Sequence, residues 1–320
     1  VPKEQLHFSI ALKAAELGRG RVAEAARSHR DALLLGSVFH DILYYIRPGG
    51  KATCAGLADL FHGSDGMDSN TLLRLQLAHA RDTDSRQALA LLAGMASHAC
   101  LDAATHPFIW YATGNYDDPD ASRRSLARQR HRALETLLDM TYAAQPGRST
   151  SLGRIQKELS PPLAELLPAA ELARRCGADS TILADELDKA LETYALVQRL
   201  SEAAPLAWLA YALWPLLPRS IREIAALLRS PQWLRQKNAV SGQIEYRSPV
   251  NGDIQQKSFS AMLDSAVEHT VSLWNEIEAV FEDEARLHAG KNLDTGMPSD
   301  RSQSMKHFRE PPLIRLPGEE

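Results

Sequence analysis

The chain has 320 residues, 44% hydrophobic and 24% charged, with a formal net charge of -4 and a pI near 6.3. This is the composition of a soluble globular protein, long enough to bury a sizeable core. It lacks the basic excess of a sequence-independent nucleic-acid binder, so no stable nucleic-acid partner is expected. Cys54, Cys100 and Cys176 are odd in number and widely spaced, which excludes a disulfide framework and a thiolate metal site and reads as buried thiols.

Apolar residues recur at three- and four-residue spacing almost throughout, which predicts an all-α fold. Helices are expected near 2–18, 21–47, 69–83, 86–105, 120–143, 155–175, 181–203, 219–229 and 258–288. Weak alternation and Asn251-Gly252 predict a small β-hairpin over 242–254. Gln145-Pro146-Gly147 divides an N-terminal region, 1–145, from a helical C-terminal region, 146–320, whose polar residues from about 289 read as an extended arm. No internal repeat is evident. The opening residues VPKEQLHFSIALKAAE carry charges where a signal peptide is apolar, so none is expected in this chain; a start at Val rather than Met fits either a mature secreted chain or a trimmed cytoplasmic one, with the cytoplasm preferred. Ala203–Leu217 is apolar but interrupted by Pro205 and Pro215, and it falls short of the roughly 20 residues that span a bilayer.

The chemistry-bearing residues are concentrated early, with eight of the eleven histidines before residue 132. In SHACLDAATHPF, His98, Asp102 and His106 stand four residues apart on a helix that is apolar on every side from Ala88 to Leu101. A buried carboxylate needs a cationic partner or a metal, and no Lys or Arg lies between Arg86 and Arg123. Pro107 disfavours helical conformation at His106, which is therefore expected at a kink or just past the helix end. In RHRALETLLD, His131 and Glu135 form a second four-residue pair on the face of Leu134 and Leu138, with Arg130, Arg132 and Asp139 on the solvated side. His7 shares an inward face with Ile10, Ala11, Ala14 and Leu17; His40-Asp41 and His62 lie between, and an Asp-rich loop, NYDDPD at 115–120, is either an entrance to the site or simply solvated.

A lone inward histidine is ordinarily a satisfied core residue, but two inward His-carboxylate pairs with four more candidates form a metal cluster. Imidazole and carboxylate donors without thiolates suit zinc, with iron and manganese as alternatives. His7, Asp41, His62, His98, Asp102, His106, His131 and Glu135 exceed the needs of one ion, so two to three are expected. Neighbouring zinc ions activate water and hold both oxygens of a displacement, which makes phosphate-ester hydrolysis the default chemistry.

The order His7, Asp41, His62, SHxxxDxxTHP at 97–107 and HRxxE at 131–135 resembles the bacterial zinc-dependent phospholipase C family, all-α enzymes with a three-zinc site. The single-strand-specific zinc nucleases are similar in fold and ligand order. The resemblance covers about residues 5–140. It implies that Asp41, His62, His98 and Asp102 hold one zinc, that His106, His131 and Glu135 hold a second, and that Asp102 bridges to a third also bound by His7. It further implies Asp41 as general base and a phospholipid or other phosphodiester as substrate. Secreted members place an N-terminal Trp on the third zinc, whereas this chain opens with Val1.

Two rival readings stand. An HD-type phosphohydrolase would use His40-Asp41 with His7 and Asp102, leaving His98, His131 and Glu135 unexplained. A non-catalytic helical protein would bind zinc structurally. The segment 214–237, with Trp214 and Trp233 flanking a helix that bears Arg219, Arg222 and Arg229, reads either as a peripheral membrane contact or as a packed helix with a solvated basic face.

Overall fold

The computed structural model describes residues 4–46, 54–143, 150–283, 287–299 and 304–319. The first half contains α1 (Glu4–Leu17), α2 (Gly20–Ser28), α3 (Arg30–Gly36), α4 (Phe39–Ile42), α5 (Leu57–His62), α6 (Thr71–Asp82), α7 (Arg86–Thr113) and α8 (Ala121–Tyr142). There follow α9 (Leu152–Glu158), α10 (Ala169–Cys176), α11 (Ser180–Ser201), α12 (Ala204–Ala212), α13 (Arg219–Ala225), the hairpin β1 (Gln243–Arg247) and β2 (Ile254–Ser258), and α14 (Phe259–Asp283). Among the described residues the fold is all-α apart from that antiparallel hairpin, which extends slightly past the expected span and turns at Gly252 with φ +78°.

Helix α7 is the axis of the molecule. Ser85 caps its start by accepting a hydrogen bond from the Ala88 amide, and nearly every side chain from Ala88 to Leu101 is buried. It is long and apolar enough to cross a membrane, but α1, α2, α3, α6, α8 and α14 surround it as a core helix. Its closest neighbour is α3, and the crossing is built on two glycines. A Cβ on Gly36 would lie 2.1 Å from the Leu91 carbonyl oxygen, and one on Gly94 would lie 2.1 Å from that of Leu33. No larger residue permits this approach.

Several expected elements differ. The helix expected over 21–47 is divided into α2, α3 and α4, because hydrogen bonding shifts to three-residue spacing where Val38 N–H bonds the Leu35 carbonyl, turning the axis between Ser37 and Phe39. The helix expected over 155–175 is cut by Pro161, Pro162 and Pro168 into α9, a short turn and α10. Conversely α7 continues through Pro107 to Thr113, so His106 lies inside a helix rather than at its end. The Ala103 carbonyl, which has no N–H to bond at Pro107, is approached by the backbone of Gly296, where a Cβ would come within 2.6 Å of that oxygen.

The outer side of α8 is covered rather than solvated. Asp139 is fully buried and accepts hydrogen bonds from the Leu6 amide and Arg229, while Arg132 donates to the Glu223 carbonyl of α13. At the end of α1, Leu17 is 60% exposed instead of facing inward. All three cysteines are free, with Cys54 buried and the other two half-buried. The seam at Gln145-Pro146-Gly147 and residue Val1 lie outside the described residues. The residues from 287 do not extend away: Ser69, Asn70 and Asp68 bond the backbone of Lys291, His288 and Gly290, fastening this segment across α5 and α6. Trp214 and Trp233 are buried against each other, with ring centroids 5.9 Å apart, so neither serves as an interfacial anchor.

Candidate metal centre

Five helices bring the eight sequence-selected residues to one place. Helix α1 supplies His7, α4 Asp41, α5 His62, α7 His98, Asp102 and His106, and α8 His131 and Glu135; each is at most 4% exposed. Asp102 is the centre of the group. Its Oδ2 lies 3.0 Å from His98 Nε2 and 3.9 Å from His62 Nε2, while Oδ1 lies 3.4 Å from His7 Nε2 and 3.8 Å from His106 Nε2. Donor atoms around a tetrahedral ion at about 2.0–2.1 Å stand roughly 3.4 Å apart, so these separations match a ligand shell. Glu135 Oε1 lies 3.0 Å from His131 Nε2 and 3.6 Å from His106 Nε2.

Three sets have donor atoms close enough to share an ion: His7, Asp41 and His98; His62, His98 and Asp102; and His106, His131 and Glu135. The last is the second-zinc set implied by the resemblance. Asp41 groups with His7 and His98, while His62 groups with His98 and Asp102.

The second nitrogens of two rings are already committed. His98 Nδ1 is 2.9 Å from the Ser37 carbonyl oxygen, and His62 Nδ1 is 2.7 Å from that of Ala58. Donating Nδ1–H there leaves each Nε2 lone pair facing Asp102. His7, His98 and His40 stack, with centroids of the first pair 4.3 Å apart and of the second 4.5 Å. His40 and Asp41 have no hydrogen-bond partner for any side-chain nitrogen or oxygen among the described residues. Burial pushes the Asp41 carboxyl up to about 7, while His98 opposes the shift. Burial likewise opposes charge on Asp102, but His106, His98 and His7 together hold its carboxyl below the usual range. Burial lowers His7, His40 and His131, and lowers His62 to about 4, favouring the neutral imidazoles that ligate metals.

One carboxylate escaped sequence reasoning. Asp294, from the segment 287–299, places Oδ1 3.0 Å from Trp110 Nε1 and 3.4 Å from His106 Nδ1. No spacing signal marks it, since NLDTGMPSD carries no helical or strand periodicity and its partners lie far away in sequence. The loop 115–120 contributes differently from its acidic composition. Asp120 caps α8 by accepting from the Ser122 and Arg123 amides, whereas Tyr116 approaches His131 with ring centroids 5.2 Å apart. Tyr44, 45% exposed, lies beside His62 with centroids 5.0 Å apart.

The donors fit zinc. They are buried imidazoles and carboxylates, several with side-chain atoms that have no hydrogen-bond partner, and among the described residues no lysine or arginine is paired with Asp102 or Asp41. Neither the curated proteins nor the solved structures give a match to the chain. Residues 6–171, which contain all eight side chains, match the family model for zinc dependent phospholipase C. That match spans more than half of the 320 residues, and the chain belongs to the zinc-dependent phospholipase C family.

Proposed function

We propose that this protein is a phosphoric diester hydrolase that cleaves a phospholipid on the glycerol side of its phosphate. The observation that carries this reading is the convergence of His7, Asp41, His62, His98, Asp102, His106, His131 and Glu135 around Asp102, in numbers beyond the needs of one ion. These residues would hold two to three zinc ions. Bound zinc supplies an acidified water and positive charge for the phosphoryl oxygens.

The chain's own residues do the rest. Asp41, buried beside His7 and His98 with neither side-chain oxygen hydrogen-bonded among the described residues, takes the proton of the attacking water as the new P–O bond forms. The bond to the glycerol oxygen breaks, and that oxygen receives the proton, giving a diacylglycerol and a phosphorylated head group. Tyr44 borders His62, and Trp110 and Tyr116 border His131.

An exposed apolar surface supports contact with a lipid layer. Leu206, Trp208, Leu209, Leu213, Leu216, Ile221 and Ile224 are all at least 39% exposed, and in α12 Ala207 is the one buried residue. Such a patch on a soluble protein marks an interaction surface, and Trp208 provides the amphipathic ring suited to a headgroup layer. The HD-type reading leaves the convergence of His98, His131 and Glu135 without a purpose.

The test is hydrolysis by the zinc-loaded protein of phospholipid vesicles, a soluble aryl phosphodiester and single-stranded DNA. Zinc-dependent release of diacylglycerol is expected. Cleavage of DNA alone would assign the centre to nuclease chemistry, and zinc uptake with no hydrolysis of any substrate would leave a structural zinc protein.

A further inference from the structure

Residues beyond the family match reach into the metal centre. The segment 287–299 is built as a turn around Asn292, whose side-chain oxygen accepts from the amides of Asp294 and Thr295 at 3.1 and 2.9 Å. The turn closes through the Asn292 amide on the Met297 carbonyl and the Gly296 amide on the Asn292 carbonyl, each at 2.8 Å. Two further bonds fix it to the end of α5, from the Leu293 amide to the His62 carbonyl at 2.9 Å and from Asn292 Nδ2 to the Gly63 carbonyl at 2.8 Å. Gly296, with φ +66°, lets the turn settle over Ala103 and Pro107 of α7. The tip of this rigid turn is Asp294.

His106 is thereby held between two kinds of partner. Its Nε2 faces Asp102 and Glu135 at 3.8 and 3.6 Å, and its Nδ1 faces Asp294 at 3.4 Å. For His62 and His98 the outer nitrogen is held by a backbone carbonyl. For His106 the same position is taken by a carboxylate, itself steadied by the Trp110 indole N–H. An outer carboxylate of this kind fixes the tautomer and raises the basicity of a ligating imidazole.

We propose that Asp294 is a positioning residue of the metal centre. It accepts the Nδ1 proton of His106, presents Nε2 to the ion shared with His131 and Glu135, and makes that site depend on the C-terminal segment. The proposal rests on His106 being a ligand in the centre described above.

The experiment is a chelator-competition titration of zinc on the full chain and on Asp294→Asn, paired with thermal melting of both metal-free proteins. Asn keeps the size and an oxygen for Trp110 but removes the charge. Affinity for one zinc should fall about 10- to 100-fold, with the other sites and the metal-free melting temperature unchanged. A long-range imidazole 15N spectrum of the zinc-loaded wild type adds a readout that a merely structural role would not move, and it decides the matter even if the variant fails to fold. His106 should carry its proton on Nδ1. Wild-type zinc affinity in a folded Asp294→Asn variant, or a proton on Nε2, overturns the role of Asp294 while leaving the centre intact. A wild-type chain that takes up no zinc overturns both.

Discussion

The Ser37 carbonyl oxygen lies 2.9 Å from His98 Nδ1, across 61 positions of sequence. The contact exists because α3 and α7 touch at Gly36 and Gly94, and it points the other nitrogen of His98 at Asp102. Adding a methyl at that crossing forces the helices apart, so Gly94→Ala should lower stability by about 1–3 kcal/mol. It should also weaken zinc binding, because His98 loses its anchor. Denaturant midpoints with metal analysis of the same preparation check this; an unchanged midpoint would show that the crossing tolerates a methyl.

Removing His131 or Glu135 separates the multinuclear centre from the HD-type arrangement. Either Ala variant should lose one equivalent of zinc and most of the hydrolysis, and chelation of the wild type should lower its melting temperature, because bound metal stabilises the folded state. Full metal content and activity in both variants would restore the four-ligand reading.

For Asp41, metal binding and proton transfer can be told apart. Asp41→Asn keeps the shape and one ligating oxygen but little basicity, so most of the zinc should stay while turnover falls by about 10² or more. Wild-type turnover would remove Asp41 as the base.

Asp68 gives a pH signature for the segment 287–299. Burial raises its carboxyl, but bonds from the Gly290 amide and Arg74 outweigh this and leave it below the ordinary 3.8. A lowered folded value contributes stability that is complete above the unfolded value and is lost as pH falls through the folded one. The stability difference between metal-free wild type and Asp68→Asn should therefore hold at neutral pH and shrink below 3.8. A difference independent of pH down to strong acid would contradict the assignment.

Contact with lipid is tested at the exposed patch. Replacing Trp208 and Leu216 together by Ser should reduce binding to phospholipid vesicles roughly tenfold or more, since each loses the apolar surface it would bury. Hydrolysis of a soluble aryl phosphodiester should be unchanged. Undiminished vesicle binding would assign the patch to another partner.

What the sequence determined was local. His98 with Asp102, and His131 with Glu135, are four residues apart, and helix geometry alone puts each pair on one face. The apolar surroundings of Asp102, with no basic residue nearby, already demanded a cation. Tertiary structure decided whatever depends on elements far apart in sequence. Pro107 reads as a helix end because its steric effect is local, yet α7 continues inside a packed core with Gly296 lying over the freed Ala103 carbonyl. The residues after 289 read as an extended arm because they are polar, and polarity does not reveal that Asp68, Ser69 and Asn70 will bond their backbone. Asp294 has no periodic partner and becomes part of the site only when that segment crosses α5. Proximity of that kind is set by chain return and packing, which no spacing within a single helix encodes.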